Sequence, residues 1–357
     1  MVERVPDRAS PAAGVSAETA APTRVHVFLL AARLPGTTDA ETLAAAVDYA
    51  TLADRLGFAG VWLAEHHFIP YGTCPSAIGF AAHLLGRTSR ITVGTAACVL
   101  SNRHPVALAE EAVLLDELSG GRLALGVARG GPWVDLEVFG TGLDRYENGF
   151  TESLDLLRSW LSGAERVGAD GPRFRFRPVP VVPRPRRRVP VWVAATSPDT
   201  VETAARRGLP LLLGMHAGDA EKAALLRRYA EVAADAGHDP ATVEHAGAYL
   251  AHAEADGEEA VRVVRHGLPE LLAGTLDYQR IDGRPPVHRD LDAYAEHLLA
   301  IGAVGTPQAC RQRLAETVRA TGVRHLLLMV EAGGKPARVR ANLERLAGAL
   351  LPAPVPG

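Results

Sequence analysis

The chain has 357 residues, 47% of them hydrophobic and 22% charged, and a formal net charge of −3. That balance gives no electrostatic footprint for nucleic acid, and the length suits one α/β barrel or two small domains. Three cysteines, odd in number and far apart, predict neither a disulfide framework nor a zinc site and suit a reducing cytosol; no apolar stretch approaches the roughly 18 residues of a membrane span.

Residues 1–23 are rich in Ala, Pro, Thr and Ser and lack an apolar core, which predicts a flexible extension and not a secretion signal. Apolar, β-branched runs then predict strands at 24–31, 59–64, 90–97, 122–129, 190–196, 209–215, 243–251 and 323–330. Helical periodicity falls between them, for example over 39–55, 105–118 and 219–236. Eight alternating units predict a closed (β/α)8 barrel spanning 24–350, in preference to an open doubly wound sheet, with 351–357 as a tail. Two stretches break the rhythm. Residues 162–189 predict a hairpin around RFRFRPVPVV, in which Arg184 and Arg186–Arg188 read as a solvated loop; residues 274–305 predict a lid or binding loop within the seventh unit.

Residues 61–68 read VWLAEHHF. A buried strand has no need of Glu65, His66 and His67 in succession, and burying any of them unpaired is costly, so they belong where a strand reaches the surface. Active sites of this fold gather at the C-terminal ends of the strands, where these three residues fall. The third strand ends in Gly94-Thr95-Ala96-Ala97, small residues that would admit a flat ligand. The fourth ends in Val127-Ala128-Arg129-Gly130-Gly131, and the fifth leads into Thr196-Ser197-Pro198-Asp199-Thr200, a helix start with Ser197 at the cap. A cation beside a helix N-terminus makes a phosphate pocket.

Neighbouring histidines on an extended strand point to opposite faces, so His66 and His67 do not readily share a metal; a metallohydrolase is the weaker alternative. No Gly-x-Ser-x-Gly elbow and no Gly-x-Gly-x-x-Gly turn occurs.

These motifs, with ITVGTAACVL, HPVALAEEAVLLDELSGGRLALGVARGG, VFGTG, PVWVAATSPDT and AVGTPQAC in order, resemble the bacterial luciferase-like flavin monooxygenases, and the α-subunit type among them. The resemblance implies a (β/α)8 barrel that binds reduced FMN (FMNH2) and reacts it with O2 through a flavin C4a-(hydro)peroxide. It implies His66 as the catalytic histidine, with Glu65 or His67 orienting it. Ala96-Ala97 match the family's cis peptide under the flavin ring, Ala128 a position beside the ring, and Arg129, Ser197 and Thr200 the phosphate ligands. It further implies a small organic substrate, a separate flavin reductase and a homodimer through helix 105–118, with His104 and Glu110 at the interface and Ala107, Ala109, Ala112 and Leu115 as its tight face. Ala128 departs from the family's cysteine, Thr196 from an acid, and either Arg145 or Asn148 falls at the second phosphate position. An F420-dependent oxidoreductase and a non-catalytic flavin-binding subunit are the competing readings. The Ala-, Arg-, Gly- and Pro-rich composition accords with a GC-rich bacterial genome, where such enzymes often tailor antibiotics.

Overall fold

The strands alternate residue by residue between two apolar surroundings, and that alternation builds the barrel. Phe28, Trp62, Ala124, Trp192, Leu212, Ala248 and Leu327 share one buried cluster, while their neighbours Val27, Val61, Leu125, Val193, Leu211, Tyr249 and Leu328 share another. The first set fills the lumen and the second packs under the helices. A computed structural model describes residues 23–285 and 290–352. The extension expected over 1–23 and the tail over 351–357 lie almost wholly outside the described residues, as does Pro286.

The strands are β1 Arg24–Leu29, β2 Gly60–Leu63, β3 Thr92–Thr95, β4 Cys98–Val99, β5 Leu123–Ala128, β6 Arg166–Asp170, β7 Arg175–Pro180, β8 Val191–Ala195, β9 Leu211–Leu213, β10 Ala246–Ala253, β11 Ala303–Gly305 and β12 His325–Met329. Eight of them run parallel in the closed order β1-β2-β3-β5-β8-β9-β10-β12, and β12 returns to β1 with Val27 opposite Leu328. Each coincides with one of the eight expected strands. The helices are α1 Asp39–Leu56, α2 Ala77–Leu85, α3 Pro105–Ser119, α4 Asp135–Val138, α5 Gly142–Asn148, α6 Phe150–Trp160, α7 Pro198–Ala205, α8 Asp219–Asp235, α9 Gly257–Ala273, α10 Leu291–Ile301, α11 Pro307–Thr321 and α12 Pro336–Leu350. Among the described residues no helix is long and apolar enough to cross a membrane.

Large and small residues interdigitate in the lumen. A Cβ on Gly94 would lie 2.4 Å from the Trp62 indole, and the Trp62 and Trp192 rings meet edge-on at 5.6 Å. Gly94 is therefore small to admit Trp62, which corrects its expected role of admitting a ligand. Thr95 likewise turns inward, its hydroxyl donating to Gly126 O at 2.7 Å. At the N-terminal end His26 Nε2 lies 2.9 Å from His325 Nδ1, and His325 Nε2 lies 3.2 Å from Glu244.

Both interruptions have folded content. The first is an antiparallel hairpin, β6 on β7, as the sequence predicts. Its arginines are not merely solvated: Arg187 Nε binds the buried carboxyl of Asp116 at 2.6 Å, and Arg186 binds Glu117 at the end of α3. The second is less of a lid than expected. Residues 291–301 form α10, β11 pairs with β10, and Leu298 joins Leu268 and Leu272 of α9 in the lumen's apolar cluster. Among the described residues of this segment, only 278–285 runs as a strap. It is tied to the loop after β5 by Val134 N–H to Gln279 O (2.9 Å) and Ile281 N–H to Pro132 O (3.0 Å).

Candidate active site at the C-terminal mouth of the barrel

The end of β2 delivers Glu65, His66 and His67 to the C-terminal mouth. Glu65 is buried and accepts hydrogen bonds from Ala77 N–H, Val99 N–H and Arg103 Nη2, each at 3.0 Å. Burial works to raise its pKa, but the His67 side chain, the Arg103 charge and the two N–H donors together hold it below the ordinary value, so Glu65 is an ionised brace. His67 Nε2 lies 3.7 Å from Glu65, an ion-pair distance too long for a hydrogen bond, and its ring packs on Phe68 and Phe139. Glu65 thus supports His67 and the β2 end; Glu65 or His67 is the expected partner orienting His66, and among the described residues the Nδ1 of His66 is bonded to neither.

His66 is fixed otherwise. Its N–H donates to Cys74 O at 3.0 Å, its ring stands edge-on to Tyr71 at 4.9 Å, and its Nδ1 has no hydrogen-bond partner among the described residues. Burial lowers its pKa to about 4, with the Glu65 charge opposing and His67 assisting. A neutral imidazole at neutral pH follows, which accepts or donates a hydrogen bond but holds little of the acid form that ordinary histidine proton traffic needs.

The Ala96–Ala97 peptide is cis, at the end of β3. Ala128 ends β5, and Arg129 follows. The Arg129 guanidinium lies 5.1 Å from the Tyr146 ring centroid and has no carboxylate partner among the described residues. On the neighbouring strand β8, Ser197 occupies the cap of α7 without capping it: its hydroxyl lies 3.1 Å from that of Thr200, and no α7 N–H bonds to it. A cation without a counter-ion thus stands at one strand end, with uncapped helix N–H groups and two hydroxyls at the next. That donor set suits a phosphate.

Neither candidate for the second phosphate position is available in the same way. Arg145 donates to Arg103 O at 3.1 Å and lies over the Phe174 ring at 4.3 Å, while Asn148 is exposed and bonds Asp144 at 2.9 Å. Helix α5 instead presents Tyr146 to Arg129.

A cleft of about 370 Å³ opens beside His66 and His67, walled by Trp133, Asp135, Tyr146 and Tyr278. Sequence reasoning missed these four. Trp133 directly follows Gly130-Gly131-Pro132 at a strand end, which is a weak signal; Tyr278 is brought to it only by the strap. A hollow of about 440 Å³ at the opposite end is lined by Arg158, Arg186 and Arg187, and these already face Asp155, Glu117 and Asp116.

Residues 23–325 match the luciferase-like monooxygenase family. The chain belongs to that family. It is 30% identical over 351 residues to the alkanal monooxygenase alpha chain of the Kryptophanaron alfredi symbiont, covering 91% of this chain and 96% of that one. The crystal structure of monooxygenase RslO1 from Streptomyces bottropensis superimposes with a TM-score of 0.80 at 25% identity, covering 92% and 98% of the two chains. An F420-dependent secondary alcohol dehydrogenase in complex with an F420-acetone adduct shares the fold, with a TM-score of 0.75 at 17% identity over 92% and 99%. This luciferase-like chain is therefore a (β/α)8 flavin-type monooxygenase family member, on a barrel that F420 enzymes also use.

Proposed function

We propose that this chain is a monooxygenase that uses reduced FMN and O2 to oxidise a small organic molecule, with the reduced flavin supplied by a separate reductase. The observation that carries this reading is Arg129, a cation without an acidic partner among the described residues, beside the uncapped N-terminus of α7. Arg129, Ser197 and Thr200 would hold the FMN phosphate, and Ala96, Ala97 and Ala128 would line the flat ring. Bound there, the reduced flavin supplies the electrons that activate oxygen. The protein's share is to bind it, exclude water and place hydrogen bonds at the reacting atoms.

His66 is the residue for that last task. Neutral at working pH, it acts as a hydrogen-bonding partner or base and not as an imidazolium acid. His67, held by Glu65, closes the wall beside it.

A homodimer through α3 belongs to the same proposal, on the part of the suggested face that stays exposed. Ala109 and Ala112 are buried against the chain's own core, whereas Ala107, Glu110, Leu114 and Leu118 are exposed at helical spacing; Leu118 is 77% exposed. His104, also exposed, begins that face.

The test is a competition between cofactors. Equilibrium dialysis should show FMN bound in preference to F420. FMN photoreduced on the protein and mixed with oxygen should return to its oxidised spectrum more slowly than free FMN. Preference for F420, or reoxidation at the free-solution rate, would overturn the reading.

A further inference from the structure

The wall of the cleft beside His66 holds a buried acceptor that nothing among the described residues uses. Asp135 is only 6% exposed and lines the cleft. One carboxyl oxygen, Oδ2, accepts from Asn102 Nδ2 at 2.7 Å; the other, Oδ1, has no hydrogen-bond partner among the described residues. A buried polar atom left unpaired costs free energy, and such atoms collect where a ligand completes them.

The surroundings say which ligand. Trp133 and Tyr278 stack at 4.5 Å with 29° between their planes and form one wall. Phe68, 57% exposed and held at a φ of 61° that bulky side chains rarely adopt, stands at the rim against Phe139. Aromatic walls favour a flat ring over a flexible chain, because ring stacking adds to area burial and a rigid ring loses little entropy. The phenol of Tyr278 is pushed to higher pKa by burial and then by the Asp135 charge, which places that charge on the same wall.

We propose that the cleft binds a flat aromatic substrate bearing a hydroxyl group, with Asp135 Oδ1 accepting a hydrogen bond from that hydroxyl and so setting which edge of the ring faces His66. This rests on the monooxygenase reading for the chemistry, but not for the binding. Asp135 is a positioning residue.

Calorimetric titration of the full chain without flavin tests it, with three probes. β-Naphthol should bind about tenfold or more tightly than naphthalene, and more tightly than octanol, which has the hydroxyl without the ring. Asp135→Asn keeps an acceptor for Asn102 and turns a donor to the free position. It should reduce the preference for naphthol over naphthalene, because a neutral amide N–H facing the phenol oxygen replaces a carboxylate accepting from its O–H, while leaving FMN affinity unchanged. Trp133→Ala should weaken both aromatic probes and preserve their ratio, a check that stands if Asp135→Asn fails to fold. Equal binding of naphthol and naphthalene to the wild type, octanol binding as tightly as naphthol, or a preference undiminished in Asp135→Asn would each overturn the proposal. Since flavin is absent, a failure of FMN to bind would sink the proposed function and leave this result standing.

Discussion

The two ends of the barrel treat their polar side chains differently. At the N-terminal end they hold one another: Arg24 on Glu244, Glu244 on His325, His325 on His26, and Arg187 on Asp116. At the C-terminal end they are held by one side and open on the other. Glu65 steadies His67, Asn102 steadies one oxygen of Asp135, Tyr71 flanks His66, and Tyr146 lies under Arg129. Orphan atoms occur at both ends, and their neighbours differ. His26 Nδ1 abuts Gly60 and His66 Nδ1 abuts Gly72, where a Cβ would lie 2.4 Å away in each case, whereas at the mouth alone His67 and Asp135 also line a cleft of about 370 Å³. The same residue types thus make a clamp at one end and a site at the other, and the neighbours decide which.

Removing His66 should break the comparison most sharply. His66→Ala is expected to slow oxygenation of any substrate the wild type accepts by about 10²–10³-fold, the scale of losing one hydrogen bond preorganised at the reacting atoms, with the melting temperature little changed. Product formation with reduced FMN supplied measures the first, and a thermal melt the second. A variant that unfolds instead would make His66 part of the clamp.

Trp62→Ala should do the reverse. Trp62 is fully buried in the lumen against Trp192 and Gly94, and its loss should cost about 3–5 kcal/mol, read by denaturant unfolding. A loss below about 1 kcal/mol would mean that the lumen is not the rigid support assumed for the mouth.

Glu331 sharpens the contrast at the mouth itself, since its carboxyl accepts from Leu30 N–H at 2.5 Å and Ala32 N–H at 3.3 Å and joins the ends of β12 and β1. Burial raises its pKa to about 7, against those N–H bonds. In this window the folded chain binds more protons than the unfolded one. Its contribution is complete below about pH 4.5 and is lost as pH rises through about 7. Glu331→Gln should therefore flatten the fall in stability between those values, by on the order of 1–3 kcal/mol. Parallel pH profiles for wild type and variant would contradict this.

The barrel was legible because β-branched runs such as VHVFLLA and VPVWVAA stand out between helices of uniform period, and RFRFRPVPVV alternates as a hairpin must. The donor set proposed to hold the phosphate was legible because strand ends and helix starts announce themselves locally. What lay hidden depends on residues far apart in the chain. Arg187 finds Asp116 about 70 positions earlier, and Tyr278 reaches Trp133 only through the strap. Helix α3 misled for another reason: leucines and alanines surround it on every side, so periodicity cannot tell the core face from the outer one.

If charge at the two ends of the barrel does two different jobs, the FMN dissociation constants of two arginine-to-alanine variants will separate them. Arg129→Ala should weaken FMN binding about 10- to 150-fold, as loss of a charge-assisted bond worth about 1.5–3 kcal/mol requires, with stability unchanged. Arg187→Ala should leave FMN binding as in the wild type. Wild-type affinity in Arg129→Ala, or an equal loss in both, would contradict the account.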